Sequence, residues 1–261
     1  MNLRERTKRS FRPAIAALAV SMMLLTGCAE LMEIIRTASA VRQLTEGDIV
    51  DGLKEALVIG ARNAAERLAS EDGYYGDAAV RIPLPEEAKV IIENISRIPG
   101  GQQLIENVVL GINRAAEDAA REVAPIFVNS VTQMSISDGY NILHGADNAA
   151  TAYLRNTTWN ELYALYRPKI SASTGKEIIA GVSAKESWIT LTDKWNTVAN
   201  SIPGRLAGFN TVNTDLDDFL TTKALEGVFL KLEGEELKIR KEVSARVTPL
   251  LRRVFGTLDQ Q

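Results

Sequence analysis

The sequence predicts an all-α protein, with a single domain of packed antiparallel helices. Apolar residues recur at intervals of three and four along most of the chain after Thr45, which is the pattern of helices with one buried face. Proline and glycine stand together between such stretches, as in Pro99-Gly100-Gly101 and Pro203-Gly204, where they end helices. The chain has a single cysteine, so no internal disulfide can form and packing alone must hold the core.

Residues 1–27 have the pattern of a secretory signal. The segment from Arg4 to Arg12 is basic, with Glu5 as its one acid. An apolar run follows from Ala14 to Leu25, about twelve residues, whereas a helix that spans a bilayer needs roughly 20. Small residues directly precede Cys28, as a lipoprotein signal peptidase requires. We therefore expect cleavage before Cys28.

Cys28 is the predicted lipidation site. Diacylglycerol on its sulfur and a further acyl chain, such as palmitate, on the new amino group would anchor the protein durably, whereas one chain binds only marginally. The alternative is an ordinary signal in which the cysteine occurs by chance. Without a lipid, however, Cys28 would be an unpaired thiol in an oxidising compartment, which favours the lipidation hypothesis. Ala29 stands where many lipoproteins of the inner membrane have aspartate, which favours the outer membrane, facing the periplasm.

The charge of the chain restricts its partners. The formal net charge is −3, and removal of the basic residues 1–27 makes the remainder more acidic. This argues against nucleic acid, and against anionic lipid headgroups as the main partner, because clustered Lys and Arg recruit both. The sequence has neither a nucleophile elbow nor a phosphate loop. We expect no cofactor, and as partners the membrane, through the N-terminal lipid, and an envelope protein.

The first elements after the signal are a spacer and a long helix. Residues 28–44 form the lipidated N-terminus and spacer, and residues 45–257 form the predicted helical domain. The helix from Thr45 has acids in its first turns, which complement its dipole. Its apolar stripe consists of Ile49, Leu53, Leu57, Ala61, Ala64 and Leu68. A turn at Gly73 follows, and alternating apolar residues over 78–84 predict either a short strand pair or an extended loop.

The rest of the domain is predicted as helices separated by breaks. Pro125 should kink or divide the helix predicted over 102–132. An aromatic helical face from Trp159 to Tyr166 is expected to stop at Pro168, and a loop should follow over 171–175. In order, the predicted helices are 85–98, 102–132, 137–145, 146–156, 159–167, a rather polar helix over 175–200, 213–232 and 235–255.

Several segments together resemble a family of bacterial proteins catalogued as domain of unknown function 4197 (DUF4197). The segments are Arg81-Ile82-Pro83-Leu84-Pro85, Asn113 to Ala120, Met134 to Asp138, Ile142 to Gly145, Ala150 to Arg155, Ala224 to Gly227 and Leu250 to Gly256. The likeness runs in one order from about Ile49 to Gly256. It implies an envelope protein with a single domain, and it supplies no catalytic residues.

A candidate polar cleft combines Asn113, Glu117, Asp138, Tyr153 and Arg155. On a helical wheel, Asn113 lies at the edge of the apolar stripe and Glu117 lies beyond it, so these two could instead form a rim network that ties their helix to a neighbour. The leading hypothesis is a noncatalytic binding or scaffolding lipoprotein of the periplasm. The alternative is an acid-dependent hydrolase, or a binder of a small polar ligand, that uses the cleft. Catalysis would require burial to raise the pKa of one of the carboxyls.

The other polar motifs have simpler explanations. His144, the single histidine, precedes a helix-ending glycine and fits a capping or surface role. The acidic run 214–218 could bind calcium but fits a helix start better. The alternating charges of 233–241 predict a solvated helix face. Three tryptophans could line a ligand groove or belong to the core: Trp159, Trp188 and Trp195. We expect no metal site.

Overall fold

A computed structural model describes residues 44–177 and 181–260, and the regular elements of these residues are helices, without a β-strand. The all-α prediction is confirmed. The α-helices of the described chain are α1 (Glu46–Leu68), α2 (Lys89–Glu93), α3 (Gly101–Ala120), α4 (Val123–Gln133), α5 (Gly139–Leu143), α6 (Ala149–Thr174), α7 (Ala184–Asn200), α8 (Ile202–Leu206), α9 (Leu216–Lys241) and α10 (Pro249–Phe255). Short 3-10 helices cover Glu86–Ala88, Ile95–Arg97, Val243–Ala245 and Gly256–Gln260. The predicted signal and Cys28 lie outside the described residues.

Helix α9 forms the centre of the domain and packs against both α1 and α6, while α3 packs against α6 and α7. Two glycines on α1 allow close approach: a Cβ at Gly52 would lie 2.7 Å from a methyl group of Val254, and one at Gly60 would lie 2.7 Å from a methyl group of Leu232. The rings of Phe127 and Phe229 meet across the core with centroids 5.2 Å apart. The small residues of the sequence therefore mark where helices touch.

Helix boundaries depart from the prediction where tertiary packing overrides local signals. Pro168 lies inside α6, so the segments predicted to be separate helices and a loop form one helix up to Thr174. A proline within a helix removes one backbone hydrogen bond, but Tyr166 and Ile170 on either side of it are fully buried, and this burial offsets the loss. Likewise, α9 continues to Lys241 through Gly234, and the polar helix α7 begins at Ala184.

Among the described residues, no helix is both long enough and apolar enough to cross a membrane. The segment 78–84 consists of a turn and an extended loop, the second of the two predicted alternatives. Pro125 follows a break between α3 and α4, as expected, because α3 ends at Ala120 and α4 begins at Val123.

The charged run 233–241 contains a buried ion pair, so the prediction of a solvated face is wrong for part of it. Glu236 and Arg240 are 2% and 3% exposed. The Glu236 carboxylate accepts hydrogen bonds from the backbone N–H groups of Ala150 (3.0 Å) and Thr151 (2.7 Å) in the first turn of α6, where a negative charge is favoured. The Arg240 guanidinium donates to Glu236 (2.8 Å) and to the carbonyl oxygen of Leu143 (2.6 Å) at the end of α5.

Candidate functional site

Glu117 of α3 holds the loop that follows α1, residues 73–83, which we call the 73–83 loop. Its Oε1 accepts hydrogen bonds from the backbone N–H groups of Tyr74 (3.1 Å) and Tyr75 (3.0 Å), and its Oε2 accepts one from Arg114 (2.6 Å). Glu117 is buried although the helical wheel placed it beyond the apolar stripe, because the 73–83 loop covers it. A charged side chain thus serves as the attachment point of a loop.

Asn113, one turn before Glu117, holds the other end of the same loop. Its Oδ1 accepts from the backbone N–H of Ile82 (2.9 Å), and its Nδ2 donates to the Ile82 carbonyl oxygen (2.8 Å) and to the Val109 carbonyl oxygen (2.7 Å). Asn113 has no exposed surface. The amide therefore satisfies both backbone groups of Ile82, as a paired strand would.

Tyr74 fastens the loop to α9. Its buried hydroxyl donates to the Ala224 carbonyl oxygen (2.8 Å), and a Cβ at Gly227 would lie 2.8 Å from its ring. Burial raises the pKa of Tyr74 well above its ordinary value, and the charges of nearby groups add to this effect, so the hydroxyl remains a donor at any physiological pH. The loop is consequently fixed on two sides, by α3 and by α9.

A pocket of about 390 Å³ lies where this loop meets α6 and α9. Its apolar wall includes Val80, Ile82, Pro83 and Leu230. Its charged lining residues are Arg81, Arg155, Lys223, Glu226 and Glu233. The volume is within the range of pockets that bind small ligands.

The pocket has two arginines, Arg81 of the 73–83 loop and Arg155 of α6, and each lies over an aromatic ring. Arg155 is the one that the polar-cleft hypothesis included. Its guanidinium carbon lies 5.0 Å from the ring centroid of Trp159 and 5.7 Å from that of Phe229, both within cation-π distance. Within the part of the chain that the structure describes, the Arg155 guanidinium has neither a hydrogen bond nor an ion pair. In contrast, Lys223 in the same pocket is paired with Glu226 at 2.9 Å. The two rings orient the Arg155 side chain and leave its N–H donors available.

The five residues of the predicted polar cleft have separate partners. Asp138 caps α5 by accepting from the Asn141 N–H (3.1 Å), and the Tyr153 hydroxyl donates to the Ser135 carbonyl oxygen (2.8 Å). Arg155 lines the pocket, and Asn113 acts on that pocket indirectly, through Ile82. The structure thus connects Asn113 with Arg155 and gives Asp138 and Tyr153 local roles. The sequence did not identify the 73–83 loop or Lys223 as parts of a site. The segment Arg81 to Pro85 had been noted only for its resemblance to the family.

The remaining sequence candidates are part of the framework. Asp215 caps α9 by accepting from the N–H groups of Asp217 (3.0 Å) and Asp218 (3.1 Å), so the acidic run is a helix start. Among the described residues, no cluster of His, Cys, Asp or Glu could hold a metal ion. His144 follows α5 and its ring meets that of Tyr140, with centroids 4.4 Å apart.

Two of the three tryptophans bind the loop between α8 and α9. The indole N–H of Trp195 donates to the Asn210 carbonyl oxygen (2.9 Å), and that of Trp188 donates to the Thr214 carbonyl oxygen (3.2 Å). Both side chains are buried, which agrees with the core alternative. Trp159 differs, because it is only half-buried and its ring lies against the Arg155 guanidinium.

The fold is an all-helical domain with an open pocket between the 73–83 loop, α6 and α9. The chain belongs to the family described as protein of unknown function (DUF4197), whose model matches residues 43–256. The comparison with curated proteins found no match, and neither did the comparison with solved structures.

Proposed function

We propose that this protein is a lipid-anchored, noncatalytic binding protein of the bacterial envelope, and that its ligand occupies the pocket beside Arg155. The anchor is inferred from the signal pattern that ends at Cys28. The binding role is inferred from the pocket, and above all from the Arg155 guanidinium, which has cation-π contacts but neither a hydrogen bond nor an ion pair among the described residues.

The chemistry of the pocket favours a ligand with a carboxylate beside an apolar group. A guanidinium presents a planar set of donors that matches a carboxylate with two parallel hydrogen bonds. The apolar wall around Ile82, Pro83 and Leu230 suits an aliphatic group next to that carboxylate. The C-terminus of a peptide or protein with an apolar last residue has both features, which is consistent with an envelope protein as partner.

The hydrolase alternative has less support from the contacts. A general acid must carry a proton and face the substrate. Both oxygens of Glu117 are occupied by the 73–83 loop and Arg114, and Asp138 caps a helix. These carboxylates have structural partners, so binding is the function that the geometry favours.

Replacement of Arg155 by alanine should weaken ligand binding roughly 10-fold to 100-fold, because a charge-assisted hydrogen bond contributes about 1.5–3 kcal/mol. N-acetyl-leucine is a suitable probe, since it combines a carboxylate with an aliphatic side chain. Its neutral analogue, N-acetyl-leucinamide, has the same shape and should bind much more weakly. Calorimetry and chemical-shift changes of the full chain measure both affinities.

Arg167→Ala is the matched control for this experiment. Arg167 is also on α6, but it pairs with Asp215 and lies outside the pocket. We expect this variant to bind N-acetyl-leucine as the unaltered protein does. Equal binding of the acid and the amide, or no effect of Arg155→Ala, would exclude a carboxylate site at this position.

Mass spectrometry of the protein extracted from cell membranes tests the anchor. We expect an N-terminus at Cys28 with acyl chains attached, and no residues 1–27. The Cys28→Ala variant should retain the signal, because the peptidase requires the modified cysteine. An unmodified Cys28 sulfur with residues 1–27 still attached would contradict the proposed localisation. The binding hypothesis is tested separately, by the Arg155→Ala experiment.

A further inference from the structure

The short helix α8 exposes two large apolar side chains. Ile202 is 70% exposed and Leu206 is 85% exposed, and a spacing of four residues places them on the same side of the helix. Residues 202–209, which we call the 202–209 tip, end in Phe209, whose ring meets that of Trp195 with centroids 5.2 Å apart.

The 202–209 tip is held in place by its surroundings. The Ser201 hydroxyl caps α8 by accepting from the Gly204 N–H (3.1 Å), and a Cβ at Gly204 would lie 2.1 Å from the Val198 carbonyl oxygen. Beyond the tip, the Asn196 side chain donates to the Val212 carbonyl oxygen (3.1 Å) and accepts from its N–H (2.8 Å). Ile202 and Leu206 are therefore presented to solvent by a fixed frame.

The charges around the tip differ from those of the chain as a whole. The protein is acidic, yet no Asp or Glu occurs between Asp193 and Asp215. Arg205 lies between the two exposed apolar residues in the sequence, and the Arg97 guanidinium lies 5.2 Å from the centroid of the Phe209 ring. Apolar side chains beside arginine and an aromatic ring, in a segment of the sequence without Asp or Glu, suit the boundary between acyl chains and phosphate headgroups.

We propose that the 202–209 tip inserts shallowly into the surface of a phospholipid bilayer. Ile202 and Leu206 enter the boundary region, and Arg205 and Arg97 meet headgroup phosphates. The net negative charge of the chain argues against anionic lipid as its main partner. The 202–209 tip contains no Asp or Glu, so we expect the contact with lipid to be limited to this segment. A stable protein interface usually buries roughly 1,200–2,000 Å². Two side chains on one helical turn are a small patch for such an interface but are sufficient for shallow insertion.

This inference rests on the proposed function in one respect: the lipid anchor at Cys28 keeps the 202–209 tip near the bilayer. The spacer of residues 28–44 spans roughly 55 Å when fully extended, at about 3.3 Å per residue. A tether of this reach raises the effective concentration of lipid at the tip, so a contact that is weak by itself becomes populated.

A fluorescent probe at the tip tests the insertion. The full chain with Leu206→Cys, labelled with an environment-sensitive fluorophore, is reconstituted in vesicles of phosphatidylethanolamine with a minor share of phosphatidylglycerol. Leu237→Cys is the matched control, because Leu237 is also an exposed helical leucine, at 43%. The unaltered protein shows whether Cys28 itself reacts with the label.

We expect a blue-shifted emission from position 206 and several-fold stronger quenching by brominated lipid than at position 237. Adding Arg205→Glu to the labelled protein should reduce the quenching. Ile202→Cys provides a second probe position if Leu206→Cys lowers the helical circular dichroism signal. Equal quenching at positions 206 and 237 would overturn the proposal. A blue shift of the emission that appears in intact cells but not in vesicles would also overturn it, because it would indicate a protein partner.

The experiment separates failure of the tip from failure of the anchor. If mass spectrometry finds Cys28 without lipid, the labelled protein is added to preformed vesicles, and quenching at position 206 still reports insertion. If the lipid is present and position 206 is not quenched, the anchor stands and the tip proposal is wrong.

Discussion

The Glu236→Ala variant should be less stable than the unaltered protein by about 3–5 kcal/mol, the usual cost of removing one partner of a buried ion pair. The substitution leaves the Arg240 guanidinium buried without its carboxylate. It also removes the acceptor of the Ala150 and Thr151 N–H groups and of the Thr151 hydroxyl. Urea unfolding followed by circular dichroism measures the loss.

Glu226→Ala is the control on the same helix. Glu226 pairs with Lys223, but both side chains of that pair are 40% exposed, so its removal should cost less than about 1 kcal/mol. Similar destabilisation by the two variants would show that burial of the Glu236–Arg240 pair does not determine how much Glu236 contributes to stability.

The Asn113→Ala variant should lose about 3 kcal/mol of stability, because the N–H and the carbonyl oxygen of Ile82 both lose their partner in the interior. It should also weaken binding of N-acetyl-leucine, since Ile82 belongs to the pocket wall. Faster hydrogen exchange at the Ile82 amide would locate the effect in the 73–83 loop.

Gln103→Ala provides the comparison for Asn113. Gln103 is an amide residue on the same helix, but it is exposed and bonds to Asn107 one turn away. Its removal should change the stability by less than about 0.5 kcal/mol. Unchanged protection of the Ile82 amide in Asn113→Ala would mean that Asn113 does not hold the loop.

The family and the helical class could be predicted from the sequence because they depend on information within each segment. The stripe from Ile49 to Leu68 defines α1, and every residue of the stripe is buried, as are the small residues Gly52, Ala56, Gly60 and Ala65 beside it. Arg155 was also identified as a candidate, but the residues that form the pocket around it were not. Those residues come from two segments, the 73–83 loop and α9, and no local pattern indicates that these segments meet Arg155.

The sequence alone contains the amphipathic pattern of the helices and the signal pattern that predicts a lipid anchor at Cys28. In contrast, the burial of Glu236 and Arg240 and the attachment of a loop to Asn113 and Glu117 depend on how the helices pack. An acid and a base four residues apart look the same in sequence whether water or another helix covers them. The difference arises because the start of α6 and the 73–83 loop, both distant in the chain, supply hydrogen-bond donors and acceptors to these side chains and exclude water from them.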